Sequence, residues 1–444
     1  MAVKVSTAAE LMSALGTAEE IHVVGFVTGM PMISLRPGVS LRGGTVRFRA
    51  KGIRLSSNNV LEDVTVIVPE WEAAILNDTS ISDLGRLSLR NVRTRGQVLL
   101  LADGAVASGR VEVDGLEVGS ADLRGRTERQ HGFGVDVMQG AFTLWNRQPD
   151  AEARIMASLR GISAGSSDSP IRGSGVLVGG HCDWDGRPDG GVVAADQLRT
   201  GPIFTDGGIE PGTHDLISAG VYVLSGAEVE KVVNDGPVTT FGANDMVLDN
   251  WGQVGSWTAR APVTSHGSSG IGFVNFGELG LLDVQAPLTT YGPGARGFNV
   301  YDGTLARARF RSITTHGDGA IGIQVSRELP DLDITESVTT FGASGMSLVR
   351  GRQTQLSATA VSILKEGRIG RLTAGGSLGT HGDQVVTLEV AGSLDVLNVQ
   401  RGITAAGMAS DAVHLTGHAP DLDQVTVTAS HGQAIVTAPE KRTQ

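Results

Sequence analysis

The sequence has few of the residues that usually hold small folds together. Its 444 residues include one cysteine, Cys182, which excludes an intramolecular disulfide and a zinc site built from several cysteines. Aromatic residues make up only 4% of the chain, which favours a narrow interior of Val, Ile, Leu and Ala over a core of large rings. No run of 18 apolar residues is present, so no transmembrane helix is expected.

Basic residues are also few, since the 47 acidic residues outnumber the 36 lysines and arginines. The formal net charge is −11 and the sequence pI is near 5.4, which argues against non-specific binding to nucleic acid.

The first residues, MAVKVSTAAELMSAL, lack a basic region followed by an apolar core and a cleavage site. No secretory signal is therefore expected, and the protein is expected to be cytoplasmic unless such a signal has been trimmed. No membrane partner is expected either.

A short phrase returns at a fixed interval in the second half of the chain. Each copy ends on a glycine, 25 residues after the one before, at Gly242, Gly267, Gly292, Gly317 and Gly342. A repeat of constant length in a chain with 62 glycines is typical of a solenoid. Each repeat holds three short apolar runs separated by turn residues, which predicts strands and not helices. The sequence therefore predicts an all-β fold, a parallel β-helix with about 25 residues per coil.

Residues 25 apart are expected to lie above one another, with about 4.8 Å between coils. One such column carries hydroxyl groups, at Thr240, Ser265, Thr290, Thr315, Thr340 and Thr380. The next carries rings, at Phe241, His266, Tyr291, His316, Phe341 and His381. Histidines two coils apart are about 9.6 Å apart, too far to share one metal ion. The rings are therefore predicted to stack, and no metal or other cofactor is expected.

The ends of the chain have their own patterns. Residues 4–16, KVSTAAELMSALG, predict an amphipathic helix whose start is capped by Ser6 or Thr7 and which Gly16 closes. Such a helix would cover the exposed edge of the first coil. The predicted organisation is a capping helix at 1–18, a solenoid at 19–437 and a polar tail at 438–444. A homo-oligomer is possible.

The segment after the helix carries a resemblance. It reads IHVVGFVTG and then ISLRPGVSLRGGTVRF, an order that resembles the beginning of right-handed parallel β-helix proteins of the pectate-lyase-like superfamily. The resemblance implies a right-handed coil. That group holds polysaccharide lyases, glycoside hydrolases, transferases, epimerases and non-enzymatic phage or surface proteins, so it leaves the activity open. The motifs of polygalacturonases and pectate lyases are not matched here.

The spacing between repeated phrases is longer between residues 126 and 216. Related phrases contain Gly134, Gly175 and Gly220, which are 41 and 45 residues apart instead of 25. The surplus predicts insertions at about 141–172, 181–191 and 201–215. Insertions in successive coils of a solenoid emerge on the same face, and that face often binds a ligand. The functional site is predicted there.

The strongest candidate segment is His181 to Asp189, HCDWDGRPD. Breaking a glycosidic bond usually takes two carboxyl groups, and Asp183 and Asp185 are candidates. Trp184 is expected to contact a sugar face, and His181 and Arg187 are expected to bind substrate. The alternative is a solvated Asp-Gly turn.

Two further segments add residues to the predicted site. Asp206 and Glu210 complete the pool of candidate catalytic carboxylates, with His214 and Trp145 as sugar-binding residues. The alternative for these acids is a Gly/Pro-rich loop. The segment RTERQHGFGVD, 126–136, adds His131 and also Arg129. A basic residue such as Arg129 is what a lyase of this fold class would need, whereas the alternative is a solvated charged turn.

The coil after these insertions contributes Asp249 and Trp251. The residues 25 and 50 positions later in the Asp249 column are Val274 and Asn299, and this column is expected to point outward. An outward acid beside Trp251 would be a sugar contact or ordinary surface.

Together these patterns predict a carbohydrate-active enzyme, a glycoside hydrolase or glycosyl-transferring type, that cleaves or rearranges a glycosidic bond with paired carboxylates in a lateral cleft. The expected partner is an oligo- or polysaccharide. One alternative is a non-catalytic β-solenoid, a surface or phage-type binding protein. A second is a polysaccharide lyase that acts on a uronate with Arg129 or Arg187 at the cleft.

Overall fold

The computed structural model describes residues 2–349 and 351–437. The tail predicted at 438–444 lies outside these residues. The chain divides into two compact units. The first unit holds the residues up to 208 together with 215–238 and 251–254, and the second holds 209–214, 239–250 and the residues from 255 onward.

The regular structure is one helix and a long series of short strands. The helix is α1 (Ala8–Thr17). The strands are β1 (Val3–Val5), β2 (Glu20–Val23), β3 (Phe26–Met30), β4 (Ile33–Ser34), β5 (Ser40–Arg42), β6 (Thr45–Phe48), β7 (Ile53–Leu55), β8 (Val60–Glu62), β9 (Thr65–Ile67), β10 (Ala73–Asn77), β11 (Asp83–Arg95), β12 (Gln97–Ala102), β13 (Ser108–Ser120), β14 (Gln130–Gly132), β15 (Val135–Val137), β16 (Gly140–Asn146), β17 (Arg154–Ala164), β18 (Ser174–Gly179), β19 (Val192–Thr205), β20 (Leu216–Val223), β21 (Ala227–Asn234), β22 (Val238–Thr240), β23 (Asp245–Asn250), β24 (Gln253–Ala259), β25 (Val263–Ser265), β26 (Ile271–Asn275), β27 (Glu278–Thr290), β28 (Arg296–Val300), β29 (Thr304–Thr315), β30 (Ile323–Val325), β31 (Glu328–Ile334), β32 (Val338–Thr340), β33 (Ser344–Val349), β34 (Arg352–Ser357), β35 (Val361–Ile363), β36 (Arg368–Ala374), β37 (Leu378–Thr380), β38 (Val386–Val390), β39 (Ser393–Val399), β40 (Ile403–Met408), β41 (Asp411–Leu415), β42 (Val427–His431) and β43 (Ile435–Thr437).

The first unit begins with a strand and then the helix. Val3–Val5 pairs in parallel with β2, because Val5 fits the buried side of a strand. The helix therefore starts at Ala8, later than residue 4, where the predicted segment begins, and its N-cap is Thr7, one of the two caps that the sequence predicted. Thr7 caps it: the Thr7 Oγ1 accepts the N–H of Glu10 at 3.2 Å, and the Thr7 N–H donates to Glu10 Oε2 at 3.1 Å.

The coils of the first unit stack as parallel strands on successive faces. One face runs through β7, β10, β12, β16, β18 and β20. Another runs through β8, β11, β13, β17, β19 and β21. On the second of these faces, inward apolar positions alternate with outward polar ones, as a half-buried strand requires, whereas β16 and β18 on the first face are buried along their whole length. The unit is a right-handed parallel β-helix, as the sequence predicted.

The second unit repeats the same coil with the 25-residue register that the sequence shows. Leu288, Ile313, Val338, Leu378 and Ile403 stack in one fully buried column. The predicted hydroxyl column is also buried, and four of its members, Thr240, Thr290, Thr315 and Thr340, donate to backbone carbonyls at the coil corner. Thr290 Oγ1, for example, donates to the carbonyl of Ala295 at 2.6 Å. The predicted ring column stacks with centroid separations from 4.7 to 5.2 Å.

The structure distributes the surplus residues of 126–216 differently from the prediction. Residues 140–146 and 154–164 form β16 and β17, which pair with coils on both sides. The stretch 141–172 is therefore mostly ordinary coil. The extra residues of that step precede it, at 121–139, where β14 and β15 form a hairpin. Its alternating apolar pattern, GFGVDV, looks the same in sequence as a coil strand.

The insertion predicted at 181–191 agrees closely with the structure, and the one predicted at 201–215 is shorter than predicted. Residues 180–191 form a loop between β18 and β19. Residues 201–205 still belong to β19, and the connecting segment is 206–215.

The long step from Gly342 to Gly382 in the second unit holds an antiparallel hairpin, β33 and β34. Within the described residues, no helix has the length and apolar character needed to cross a membrane.

Candidate functional site

The first unit has a cavity of about 330 Å³ at its inserted segments. The lining residues are Arg129, Gln130, His131, Trp145, Arg147, Gly180, His181, Cys182, Asp183 and Trp184. They come from the hairpin β14–β15, the end of β16 and the loop 180–191. Six of the residues that the sequence predicted for the site or for its lyase alternative are therefore brought together here: Arg129, His131, Trp145, His181, Asp183 and Trp184.

The hairpin β14–β15 places His131 by its register. A two-residue turn joins the strands, and both turn residues have positive φ, 52° at Phe133 and 84° at Gly134, as tight hairpin turns require. His131 then lies directly across from Asp136. The Nδ1 of His131 is 2.7 Å from Asp136 Oδ1. This contact fixes the imidazole, and the Nε2 of His131 is buried without a hydrogen-bond partner.

The loop 180–191 is a small closed turn that presents a second histidine. Asp183 Oδ1 accepts the N–H groups of Asp185 and Arg187, at 2.9 and 2.8 Å. The Asp183 carboxylate therefore holds the turn, as an Asp does in an Asx turn.

At the base of the same loop, the Nδ1 of His181 is 2.6 Å from Asp189 Oδ1. Gly190 packs against this ring: a Cβ added there would lie 2.9 Å from the Cβ and Cγ of His181.

The two tryptophans of the cavity have different environments. Trp145 is buried and donates its indole N–H to the carbonyl of Gly180 at 3.2 Å. Trp184 is 73% exposed. One of its faces stacks on the imidazole of His131, with the ring centroids 3.5 Å apart. Because the side chain is nevertheless so exposed, the other face is open to a ligand.

Two arginines lie in the lining, and they differ in whether a carboxylate neutralises them. Arg147 lies over the Trp145 ring at 5.0 Å and pairs with Glu128 at 2.5 Å and Asp103 at 3.1 Å. Arg129 has no carboxylate partner among the described residues, and its Nε is buried without a hydrogen-bond acceptor. A guanidinium without a counter-ion at a cavity wall is suited to a carboxylate or another oxyanion.

Cys182 lies between the two insertions that form the cavity. Its sulfur accepts from the Gln130 amide at 3.2 Å and contacts the carbonyl oxygen of His131 at 3.4 Å. Burial raises the pKa of the Cys182 thiol. The thiol is therefore a packing group at neutral pH and not an activated nucleophile.

The remaining predicted carboxylates of the first unit lie outside the lining. Asp185 is well exposed and is 3.4 Å from Arg187, itself 77% exposed. Asp206 forms an ion pair with Arg172 and accepts the N–H of Gly208 at 2.9 Å. The cavity thus contains only Asp183 from the predicted catalytic pool.

Three other predicted residues belong to the second unit. Glu210 and His214 are exposed there, and the carbonyl of Glu210 accepts the N–H of Thr213 at 3.1 Å. Asp249 is 1% exposed on β23, so it is not the solvent-exposed sugar contact that the sequence predicted. Val274 and Asn299 above it are equally buried.

Trp251, in the first unit, is also not a surface contact. It is 4% exposed and packs edge-to-face against Phe133 at 5.1 Å and Tyr222 at 6.5 Å. It supports the turn of the β14–β15 hairpin from below instead of binding sugar.

Sequence reasoning missed four lining residues, Gln130, Arg147, Gly180 and Cys182. Arg147 and Gly180 follow directly on coil strands, where nothing in the local pattern separates them from ordinary turn residues. A hairpin signal was present at Gln130 to Val137, with an X-Gly turn between two alternating runs.

No family model matches the chain, and comparisons with curated proteins and with solved structures likewise find no match. In the part of the chain that the structure describes, no group of three or more His, Cys, Asp or Glu residues is arranged to hold a metal ion.

Proposed function

We propose that the protein is a carbohydrate-active enzyme that breaks a glycosidic bond at the cavity of the first unit. The observation that carries this proposal is the position of Trp184, an exposed indole backed by His131 at the mouth of a cavity. Indole faces are apolar, and an exposed one is suited to the C–H face of a sugar ring.

Two chemical routes are open at this cavity. In the hydrolase or transferase route Asp183 is one of the two carboxyl groups. Its Oδ1 already accepts two backbone N–H groups, and the second carboxylate would have to come from a residue outside the lining.

The second candidate function is a polysaccharide lyase. The unpartnered guanidinium of Arg129 favours it, because a lyase must neutralise the carboxylate of a uronate before the neighbouring proton can be removed. Arg187, the other basic residue predicted for this role, is paired with Asp185 and exposed.

The solenoid itself is compatible with the pectate-lyase-like superfamily. Support for that placement is the right-handed coil with parallel strands on each face, preceded by a capping helix. The fold is common to enzymes and to binding proteins, so the activity has to be argued from the cavity.

The experiment is a screen of the purified protein against neutral and uronic-acid glycans, with a binding assay run in parallel. Released reducing ends and the ultraviolet absorbance of an unsaturated product are both recorded. Reducing ends without absorbance support the hydrolase or transferase route, and absorbance supports the lyase.

Binding without any turnover, lost on Trp184→Ala, would identify a non-catalytic carbohydrate-binding solenoid and overturn the enzymatic part of the proposal. Neither binding nor turnover across the panel would overturn all of it.

A further inference from the structure

The cavity contains two histidines that are held in the same way. The Nδ1 of His131 is 2.7 Å from Asp136, and the Nδ1 of His181 is 2.6 Å from Asp189. We propose that these two His–Asp pairs are the acid–base groups of the site, with His181 as general base and His131 as general acid in an elimination on an acidic saccharide. This inference rests on the lyase form of the proposed function.

The two carboxylates act as positioning residues. An Nδ1–H donated to a carboxylate leaves Nε2 as the nitrogen that exchanges a proton with substrate. The hairpin register sets the first pair, since His131 and Asp136 are directly opposed. Gly190 and the closed loop 180–191 set the second.

Exposure separates the two roles. The side chain of His181 is 29% exposed and that of His131 is 16% exposed, so a sugar C–H can approach His181 from the open side. The Nε2 of His131 is buried without a protein partner. That nitrogen has no accessible surface in this structure, so donation of its proton to a glycosidic oxygen requires the His131 ring to move toward the opening of the cavity when substrate binds. An imidazolium there would have Asp136 on one nitrogen and the indole face of Trp184 against its ring.

Other charged groups face these histidines across the cavity. They are Arg129 and Arg147 from the hairpin side and β16, and Asp183 and the Cys182 thiol from the loop. Arg147 is neutralised by Asp103 and Glu128. Arg129 is the cation left for the substrate carboxylate.

The step balances without a further reactant. Nε2 of neutral His181 removes the proton next to the uronate carboxylate, at C5. The electrons of that C–H bond form the C4=C5 double bond, and the C4–O bond breaks. Its electron pair leaves on the glycosidic oxygen, which takes the Nε2 proton of His131. One saccharide with a new hydroxyl and one unsaturated saccharide result, and solvent restores the two histidines.

The test uses oligomers of galacturonic, glucuronic and mannuronic acid with four variants, His181→Asn, His131→Asn, Asp189→Asn and Asp136→Asn. General acid–base groups contribute on the order of 10²–10⁴-fold. We expect His181→Asn and His131→Asn to lower the rate of absorbance increase by at least about 100-fold while the affinity changes little. The two Asp→Asn variants should lower it less and shift the pH–rate profile. His418→Asn, outside the cavity, is the matched control.

A structural role alone would lower affinity or thermal stability without moving the pH profile, so both are measured for each variant. The inference is overturned if both histidine variants keep their rate, or if no acidic oligomer yields unsaturated product. Reducing ends released from neutral glycans with no absorbance would leave the proposed function standing and remove this inference.

If the histidine variants do not fold, side-chain nitrogen NMR of the wild-type protein tests whether the two histidines contact a bound acidic oligomer. Nε2 signals that do not respond to a bound acidic oligomer would contradict the proposal.

Discussion

The indole of Trp184 lies flat on the imidazole of His131, with 3.5 Å between ring centroids and 14° between ring planes. The two residues come from different insertions, the loop 180–191 and the hairpin β14–β15. Their stack therefore joins the insertions at the mouth of the cavity. It also presents the free face of Trp184 outward while His131 stays anchored by Asp136.

Replacement of Trp184 by alanine is expected to weaken saccharide binding roughly tenfold, which corresponds to about 1.4 kcal/mol. The physical reason is the loss of an apolar ring that a sugar face would cover. Because the side chain is 73% exposed, unfolding free energy should change by less than about 0.5 kcal/mol. Affinity for the glycan identified by the screen is the measurement.

Trp71 offers a matched control for this change. It is 67% exposed in the same unit but does not line the cavity. Trp71→Ala should leave affinity unaltered. Equal losses in the two variants would show that the effect is not specific to the cavity.

Asp183 can be tested by separating its charge from its hydrogen bonds. Asparagine keeps an oxygen that can accept the N–H groups of Asp185 and Arg187, whereas alanine removes it. We expect Asp183→Asn to retain most of the turnover and Asp183→Ala to lose more of it, with about 1 kcal/mol of stability. The measurements are turnover and thermal unfolding.

An asparagine variant that folds normally but loses turnover as completely as alanine would contradict this expectation. It would make the carboxylate a reacting group and favour the hydrolase route.

The sequence predicted the coil better than the site. A 25-residue step places Tyr291 between His266 and His316, because stacking in a solenoid depends only on the step length. The burial of Asp249 could not be predicted in this way, since the step length does not show which segments cover a column. The ion pair of Asp206 could not be predicted for another reason. Its partner Arg172 lies 34 residues away, and no local sequence pattern shows such a contact.

The hydroxyl column is predicted to stabilise the coil through its hydrogen bonds. Thr290→Val keeps the shape of the side chain but removes the donor to the carbonyl of Ala295. Leaving that buried carbonyl without its hydroxyl partner should cost about 1–3 kcal/mol. Thr289→Val, one residue earlier and facing outward, should change stability by less than about 0.5 kcal/mol. Urea unfolding compares the two, and similar values for both would contradict the assigned role.

The C-terminal coils are predicted to lose stability in acid through Asp411. The N–H of Gln433 donates to Asp411 Oδ1 at 2.7 Å, and His414 Nε2 is 2.8 Å from Oδ2. These contacts hold the pKa of Asp411 below its usual range. A carboxyl whose folded pKa is lowered stabilises the protein above its unfolded pKa, about 3.9, and this contribution is lost as pH falls through the folded value.

Asp411→Asn should therefore be less stable than the wild type by about 1 kcal/mol at pH 5, and the difference should shrink as the pH falls below about 4. Unfolding free energies measured between pH 5 and pH 2.5 test this. Asp196→Asn, an exposed aspartate on β19, is the control and should follow the wild type. A difference for Asp411→Asn that stays constant over the whole range would mean that its ionisation is not what stabilises this end of the second unit.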